Sequence, residues 1–293
     1  MVCLSELHGL WRRNMIAWPD GRADRTTEVY WLQCGSRYAD LRIPRGRPEF
    51  GRASCLRDMD WPMLRFMARQ EGFIGHLEVS NSIAHWHRAF DYQPETGVAD
   101  RGSLHFEDGI LVEQGLETAY VEHWRRDDDA KQGALAIWLA TDASDAIGCL
   151  IAAGTAFIYA QGRAKRLPSN TSLSLLLDSA ASLEEAQQLF DCEISFGRRS
   201  PDGWRIEMSL LPFREGQMLR PELADNLQKL AVDGLTADGN TARLLWRIVD
   251  WEITTHTSLQ ASPFDWIGTA SVENITAPPT ELSSSRKIWK DEE

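Results

Sequence analysis

The feature that most constrains the fold is a long series of short runs rich in Trp and β-branched residues, each ended by turn-forming residues. The first runs are LWRRNMIAW, EVYWLQ and YADLRIP, and the turn signals between runs include Pro19-Asp20-Gly21 and Gly35-Ser36. Short runs bounded by Gly, Asp, Asn and Pro are typical of strands in an antiparallel sheet or barrel. We therefore predict an all-β protein with a few short helices.

Helix signals interrupt this series at a few places. Asp60, two residues before a proline, can cap a helix that ends by Gly72. Ser182, three residues before Glu185, matches a capping box and predicts a second helix. Another helix is expected after Pro221, whereas the run TSLSLLLD is expected to be a strand.

A charged segment divides the strand series into two parts. The segment RRDDDAKQG, from Arg125 to Gly133, has no apolar anchor, and this pattern is typical of a linker. We therefore predict an N-terminal unit over residues 1–127 and a C-terminal unit over 133–270. The polar, Pro/Ser-rich stretch 271–293 is expected to be a tail that is ordered only if it docks.

Composition argues against several classes of function. The net charge of −12 on 293 residues disfavours a nucleic-acid partner, which would need a basic face. We expect no membrane association, because no apolar run approaches the roughly 20 residues of a membrane helix, and no secretory signal is visible at the N-terminus. The five cysteines form no CxxC pair, which favours free thiols in a reducing, cytoplasmic compartment.

The N-terminal unit begins with Gly9-Leu10-Trp11 and ends with EHWRR. A GxW on the first strand resembles the lipocalin signature, in which the Trp closes the barrel floor and stacks on an Arg from near the end of the last strand. Arg125 or Arg126 would then contact Trp11 through a cation–π interaction. The alternative is that Trp11 is one more buried tryptophan.

The wider layout resembles a small family of fungal casein-kinase-interacting proteins with two lipocalin-like barrels, together with bacterial relatives without assigned function. The matching stretches are GILVEQGLETAYVEHWRR and GCLIAAGTAFIYAQGR. The resemblance implies two tandem lipocalin-like antiparallel β-barrels and a soluble cytoplasmic protein. It brings no catalytic residues, and the kinase partner of the fungal members is not carried over.

Polar residues share one face of several N-terminal strands. Because strand side chains alternate, Tyr38, Asp40 and Arg42 lie on the same side. This face is either solvated or lines the interior of a barrel that holds one small ligand. Large aromatic residues beside charges, as in Glu122 and Trp124, favour the pocket.

The predicted site follows from this alternation. Arg42 would anchor an anionic or carbonyl group, and buried carboxylates near it would have separated pKa values, as acid–base chemistry requires. The groups expected to transfer protons are Asp40, His87, Glu113 and Glu122. The residues expected to contact the ligand are Trp31, Gln33, Tyr38, Arg42, His85, Tyr120 and Trp124.

The sequence leaves two functions open. The first is binding of a small, partly aromatic or acidic organic molecule, with or without cofactor-free lyase, isomerase or hydratase chemistry. The second is a protein-interaction scaffold with packed barrels and no ligand; a homodimer is also considered. His85-x-His87 followed by Asp91 suggests a metal, but no downstream motif supplies a third histidine, so neither a metal nor a cofactor is expected.

Overall fold

The computed structural model describes residues 1–127, 133–141, 146–225, 228–235, 239–254 and 266–269. Within these ranges the chain forms nineteen strands and three short α-helices. The prediction of an all-β protein with a few short helices is therefore confirmed. The centre of the predicted linker and the predicted tail at 271–293 lie outside the described residues.

The first nine strands form one antiparallel sheet. They are β1 (Gly9–Ala17), β2 (Ala23–Asp24), β3 (Glu28–Cys34), β4 (Arg37–Ile43), β5 (Glu71–Ser80), β6 (Ile83–Asp91), β7 (Asp100–Glu107), β8 (Ile110–Gly115) and β9 (Val121–Arg126). The strand order is β2-β1-β3-β4-β5-β6-β7-β8-β9, and β9 also pairs with β1. Eight strands, β1 and β3 to β9, therefore close a barrel.

The other ten strands form a second, curled sheet. They are β10 (Ala134–Ala140), β11 (Ile147–Ala153), β12 (Ala156–Gln161), β13 (Glu193–Ser200), β14 (Gly203–Ser209), β15 (Met218–Leu219), β16 (Glu222–Ala224), β17 (Lys229–Leu235), β18 (Thr241–Thr254) and β19 (Gly268–Thr269). Their order is β15-β14-β13-β12-β11-β10-β18-β17-β16-β19. Only Arg220 and Pro221 separate β15 from β16. Because β15 pairs with β14 and β16 pairs with β17, this bent segment joins strands near opposite ends of the sheet and curls the sheet into a half-barrel.

The three helices are α1 (Trp61–Met67), α2 (Leu173–Ser179) and α3 (Leu183–Gln188). The predicted caps of α1 and α3 are confirmed, because Asp60 accepts a hydrogen bond from the Met63 amide and Ser182 accepts one from the Glu185 amide. No helix in the described ranges is long and apolar enough to cross a membrane.

Three details of the predicted secondary structure are wrong. The run TSLSLLLD forms α2, because Ser172 caps it and Leu173 and Leu177, one turn apart, are both buried. Gly72 does not end α1, which stops at Met67; it lies in β5 instead. The segment after Pro221 is the short strand β16.

The barrel and the curled sheet share one buried core. The outer faces of β3 and β4 contribute Tyr30, Leu32 and Leu41, which cluster with apolar residues of the second sheet. The Tyr30 ring stacks on Phe196 with 4.1 Å between ring centroids. The β3–β4 hairpin is therefore buried on both faces. Its outer face packs against the second sheet, and its inner face lines the barrel.

Candidate functional site

Trp11 is buried inside the barrel, in the cluster of interior aromatic and aliphatic residues. Its indole N–H donates to the carbonyl of Leu7 at 2.7 Å, and the Arg126 guanidinium carbon lies 4.6 Å from the centre of its ring. Of the two arginines predicted to contact Trp11, the structure selects Arg126, because Arg126 pairs directly with Trp11 across β9 and β1. The predicted cation–π contact with Trp11 is confirmed.

An aromatic layer packs against Trp11. Trp31 stacks on Trp11 at 5.9 Å and makes edge contacts with Trp86 at 6.0 Å and Trp124 at 5.5 Å. Gln33 accepts from the Trp31 indole at 3.0 Å and donates to the carbonyl of Gly35 at 2.8 Å. Trp31 and Gln33 therefore occupy the interior as predicted, held by each other.

A charged layer occupies the barrel beside these aromatic rings. Asp40, Glu113 and Glu122 are only 2–4% exposed, as the strand alternation predicted. Arg42 donates to Asp40 at 2.7 Å, and Arg13 donates to Glu122 at 2.6 Å. The predicted polar face of β4, β8 and β9 therefore lines the interior.

Arg13 is a residue of this layer that the sequence analysis missed. Its side chain is 6% exposed and lies near Asp24 as well as Glu122. Arg13 lies two residues after the inward-facing Trp11 and pairs with the inward-facing Trp124, so alternation along β1 places it in the barrel just before the register shifts between Arg13 and Met15. The short β1–β2 pairing beside it also carries Asp24 toward the same guanidinium.

Glu113 differs from its neighbours because its hydrogen-bond partners are neutral groups. Its carboxyl accepts from the Tyr120 hydroxyl at 2.7 Å and from the Trp124 indole at 3.1 Å. Across the described part of the chain, no basic side chain forms an ion pair with it. Burial, and then the charge of Glu122, raise the pKa of Glu113 well above its ordinary value.

Glu122 has a different electrostatic environment. It is the direct cross-strand partner of Glu113, so the two side chains leave the sheet side by side. Burial raises the pKa of Glu122, but the guanidiniums of Arg42 and Arg13 oppose the rise. The pKa of Glu122 stays raised overall, but Glu113 is the carboxyl that keeps its proton more strongly, because Glu122 has two guanidinium neighbours that favour its anion.

Two glycines make room for Glu113 and its partner. A β-carbon on Gly102 would lie 2.9 Å from Glu113 Cγ, and one on Gly115 would lie 2.4 Å from the Tyr120 ring. Gly102 and Gly115 pair with each other across β7 and β8. Glycines within strands indicate a close approach of other atoms, so this pair is a sequence signal for the site. The signal can be recognised only when the β7–β8 register is known.

We expect Gly102→Ala to push Glu113 away from Tyr120 and to lower the free energy of unfolding by about 1–3 kcal/mol. Urea denaturation measures this loss. In a Glu113→Ala background the same glycine substitution should do less harm, because the crowded side chain is gone. Equal losses in both backgrounds would show that Gly102 does not shape the Glu113 environment.

A second ionic cluster lies around Phe73. Arg88 binds Asp91 at 2.5 Å and Asp100 at 2.6 Å, and its guanidinium carbon lies 3.8 Å from the Phe73 ring centre. The Arg42 guanidinium carbon lies 4.9 Å from the same ring. Phe73 therefore separates the Arg42 cluster from the Arg88 cluster.

Tyr38 is the one predicted contact residue with an unused polar group. It is fully buried, its ring packs edge-on to Phe73 at 6.1 Å, and its hydroxyl has no hydrogen-bond partner among the described residues. Burial raises its pKa well above the ordinary value, so it stays a neutral donor. An unpaired hydroxyl in a closed barrel is unfavourable unless a further group pairs with it.

The predicted places of His85 and His87 are wrong. Trp86 points into the barrel, where it joins the aromatic cluster, so its two neighbours lie on the outer surface. The β5–β6 register shifts between Ile74 and Gly75, and beyond this bulge Asp91 pairs with the interior Phe73, so Asp91 faces inward although His85 and His87 do not. Neither imidazole belongs to the interior site.

A cavity of about 360 Å³ lies elsewhere on the molecule. Trp61 and Arg65 of α1 and Leu177 and Asp178 of α2 line it. None of the interior residues named above contributes to its wall. The predicted site and this surface cavity are therefore separate features.

The chain is thus an antiparallel β-barrel protein with a charged, mostly buried barrel interior. No family model matches the chain, and no curated protein matches it. Among solved structures, an uncharacterized protein from Saccharomyces cerevisiae is similar, with a TM-score of 0.50 at 10% sequence identity over 83% of this chain and 98% of that one. At this identity the likeness concerns the fold alone.

Proposed function

We propose that the barrel binds a small, partly aromatic organic molecule that carries a carbonyl or a similar hydrogen-bond acceptor, and that it performs cofactor-free acid–base chemistry on it. The observation that carries this proposal is Glu113, a buried carboxyl with neutral partners beside the ion-paired Glu122. Two carboxyls whose environments separate their pKa values supply an acid and a base. Glu113 is the proposed proton donor and Glu122 the proposed acceptor.

The proposed ligand is a carbonyl compound more than an acid, because the cations in and beside the barrel interior are already paired. Arg42 is bound to Asp40, Arg13 to Glu122, and Arg88 to two aspartates. An anionic ligand would have to compete with these carboxylates. A carbonyl oxygen could instead accept from the Tyr38 hydroxyl or from protonated Glu113, with the tryptophan layer against its aromatic part.

The unpaired hydroxyl of Tyr38 and the carboxyl of Glu113 together support a functional role for the interior. The charge of Asp100 helps to raise the pKa of both Tyr38 and Glu113, so the same carboxylate acts on both groups. A protein selected only for stability gains nothing from either group: an unpaired buried hydroxyl and a carboxyl without a cation both oppose folding. A bound acceptor would satisfy both.

Tyr38→Phe is expected to separate ligand binding from stability. The variant should be at least as stable as the unmodified protein, because it removes a buried hydroxyl that has no partner. It should also bind the ligand about tenfold more weakly, because one hydrogen bond of about 1.4 kcal/mol is lost. Thermal-shift screening with aromatic aldehydes, ketones and acids measures both effects, since a ligand at a hundred times its Kd adds about 2.7 kcal/mol.

Tyr159→Phe is the matched control, because Tyr159 is equally buried but lies in the second sheet and accepts from the Trp246 indole. It should lose stability without affecting ligand binding. If no compound raises the melting temperature, or if Tyr38→Phe leaves every shift unchanged, the interior is packed and the scaffold function replaces this proposal.

Turnover is tested separately with any compound that binds. Product analysis after incubation should show conversion by the unmodified protein and none by Glu122→Gln, which removes the base but keeps its shape. Binding without conversion in both proteins would reduce the proposal to a carrier.

We further propose that the chain belongs to the two-barrel lipocalin-like family that its sequence resembles. The similarity in fold to the yeast protein supports this membership, and the contact between Trp11 and Arg126 agrees with it. A cytoplasmic location is also proposed, because all five cysteines are free thiols. The one partner proposed is the small organic molecule in the barrel, and no nucleic-acid or membrane partner is proposed.

A further inference from the structure

Three histidines and a glutamate meet on the outer surface of the barrel, away from the interior site. His76 and Glu78 lie on β5, His85 and His87 lie on β6, and the register pairs His76 with His87 and Glu78 with His85. One ligand atom from each of His76, Glu78 and His87 lies within 4.8 Å of the others. Four donor side chains therefore form a square across one hairpin.

We infer that this square is a binding site for a divalent transition-metal ion such as Zn²⁺. Alternate residues on paired strands put their side chains on one side, so a His-x-Glu opposite a His-x-His presents all four donors together. Two or three imidazole nitrogens with a carboxylate oxygen are the donor set that zinc, copper and nickel prefer. The ion would link β5 to β6.

The contacts within the square support this inference. The His76 and His87 rings lie nearly parallel with centroids 4.4 Å apart, and the His85 ring lies 3.7 Å from that of His87. Glu78 approaches His87 Nε2 to 3.4 Å and His76 Nε2 to 3.8 Å. Yet His87 Nε2 is buried and makes no hydrogen bond within the described ranges. An ion at the Nε2 ends of the His76 and His87 rings, where the Glu78 carboxylate lies, would satisfy that nitrogen.

The arginines beside the square form ion pairs with carboxylates other than that of Glu78. Arg37 and Arg101 flank the square, opposite His76 and His85. Arg37 binds Asp250 and Glu252, and Arg101 binds Glu117. Glu78 itself is 67% exposed, so an ion can reach it directly from solvent.

Calorimetric titration of the untagged protein with ZnCl₂ tests the site. The Cys3→Ser variant is the background for every measurement, because Cys3 is the one exposed thiol. We expect one zinc ion per chain, and we expect His76→Ala and His87→Ala each to weaken binding by at least about tenfold. His105→Ala is the matched control, since His105 is an exposed histidine on β7 and should leave binding unchanged.

Electron paramagnetic resonance of the Cu²⁺-loaded Cys3→Ser protein provides a readout that needs no histidine variant. Coupling to two or more imidazole nitrogens is expected. The inference is overturned if zinc does not bind, if the copper signal shows one nitrogen or none, or if His105→Ala weakens binding as much as His87→Ala. Circular dichroism confirms that each variant is folded before its affinity is compared.

Discussion

Glu113→Gln is expected to make the protein progressively more stable than its parent as the pH rises. Because the folded-state pKa of Glu113 is raised, the folded protein holds a proton that the unfolded chain releases above the ordinary carboxyl value of 4.5. The parent therefore loses about 1.4 kcal/mol of unfolding free energy for each pH unit between that value and the folded-state pKa. Glutamine has no proton to release and escapes this loss.

Urea denaturation of both proteins from about pH 5 to pH 8 measures the difference. Glutamine can replace the protonated carboxyl closely: its oxygen accepts from the Trp124 indole and its amide donates to the Tyr120 oxygen, so the fold should persist. Glu107→Gln, at an exposed site on β7, controls for a charge change made in water. Parallel stability curves for the parent and Glu113→Gln would show that Glu113 ionises normally, and its role as the acid would be lost.

This result bears on the proposed mechanism because it tests the acid without a substrate. A carboxyl that holds its proton at neutral pH can donate it to a bound carbonyl, whereas an ionised one cannot. If the pH dependence is found and no ligand is found, Glu113 is a protonated structural acid. If the pH dependence and a ligand are both found, Glu113 on β8 is the proton donor and its cross-strand partner Glu122 on β9 is the acceptor.

Strand alternation predicted the interior correctly where hairpins are regular. The β3–β4 hairpin turns at Gly35 and Ser36 without a bulge, so Trp31, Tyr38 and Asp40 point inward as expected. The closed first barrel could also be anticipated, because its strands are consecutive neighbours in the sheet. Local pattern and turn chemistry are sufficient for this part of the fold.

The prediction failed where a feature depends on a bulge or on pairing between distant residues. On β6 the bulge between Ile74 and Gly75 breaks the alternation, so Asp91 faces inward whereas His85 and His87, an even number of residues before it, lie outside with Trp86 inside. Their two partners on β5, His76 and Glu78, could not be predicted, because the sequence of one strand does not determine its register with the next. The buried ion pair of the second sheet could not be named for a similar reason, because it joins Glu193 to Arg214, 21 residues further along the chain.

Arg214→Met is expected to destabilise the protein by about 3–5 kcal/mol, because it leaves the carboxylate of Glu193 buried without its cation. The two side chains are 2% and 7% exposed and lie 2.9 Å apart. Arg214 also donates to Gln217 at 2.6 Å and to the carbonyl of Asp233 at 3.1 Å, so it joins the segment after β14 to β17. Urea denaturation of the purified variant measures the loss.

The double variant Glu193→Leu with Arg214→Met separates the unpaired charge from the lost packing. Removing both partners leaves no buried ion, so most of the stability lost in Arg214→Met should return. The hydroxyl of Ser195, which bonds Glu193 at 2.6 Å, keeps a second partner in Ser209 at 2.9 Å. If the double variant stays as unstable as Arg214→Met, the hydrogen bonds of Arg214 to Gln217 and Asp233 hold this part of the sheet, and the ion pair does not.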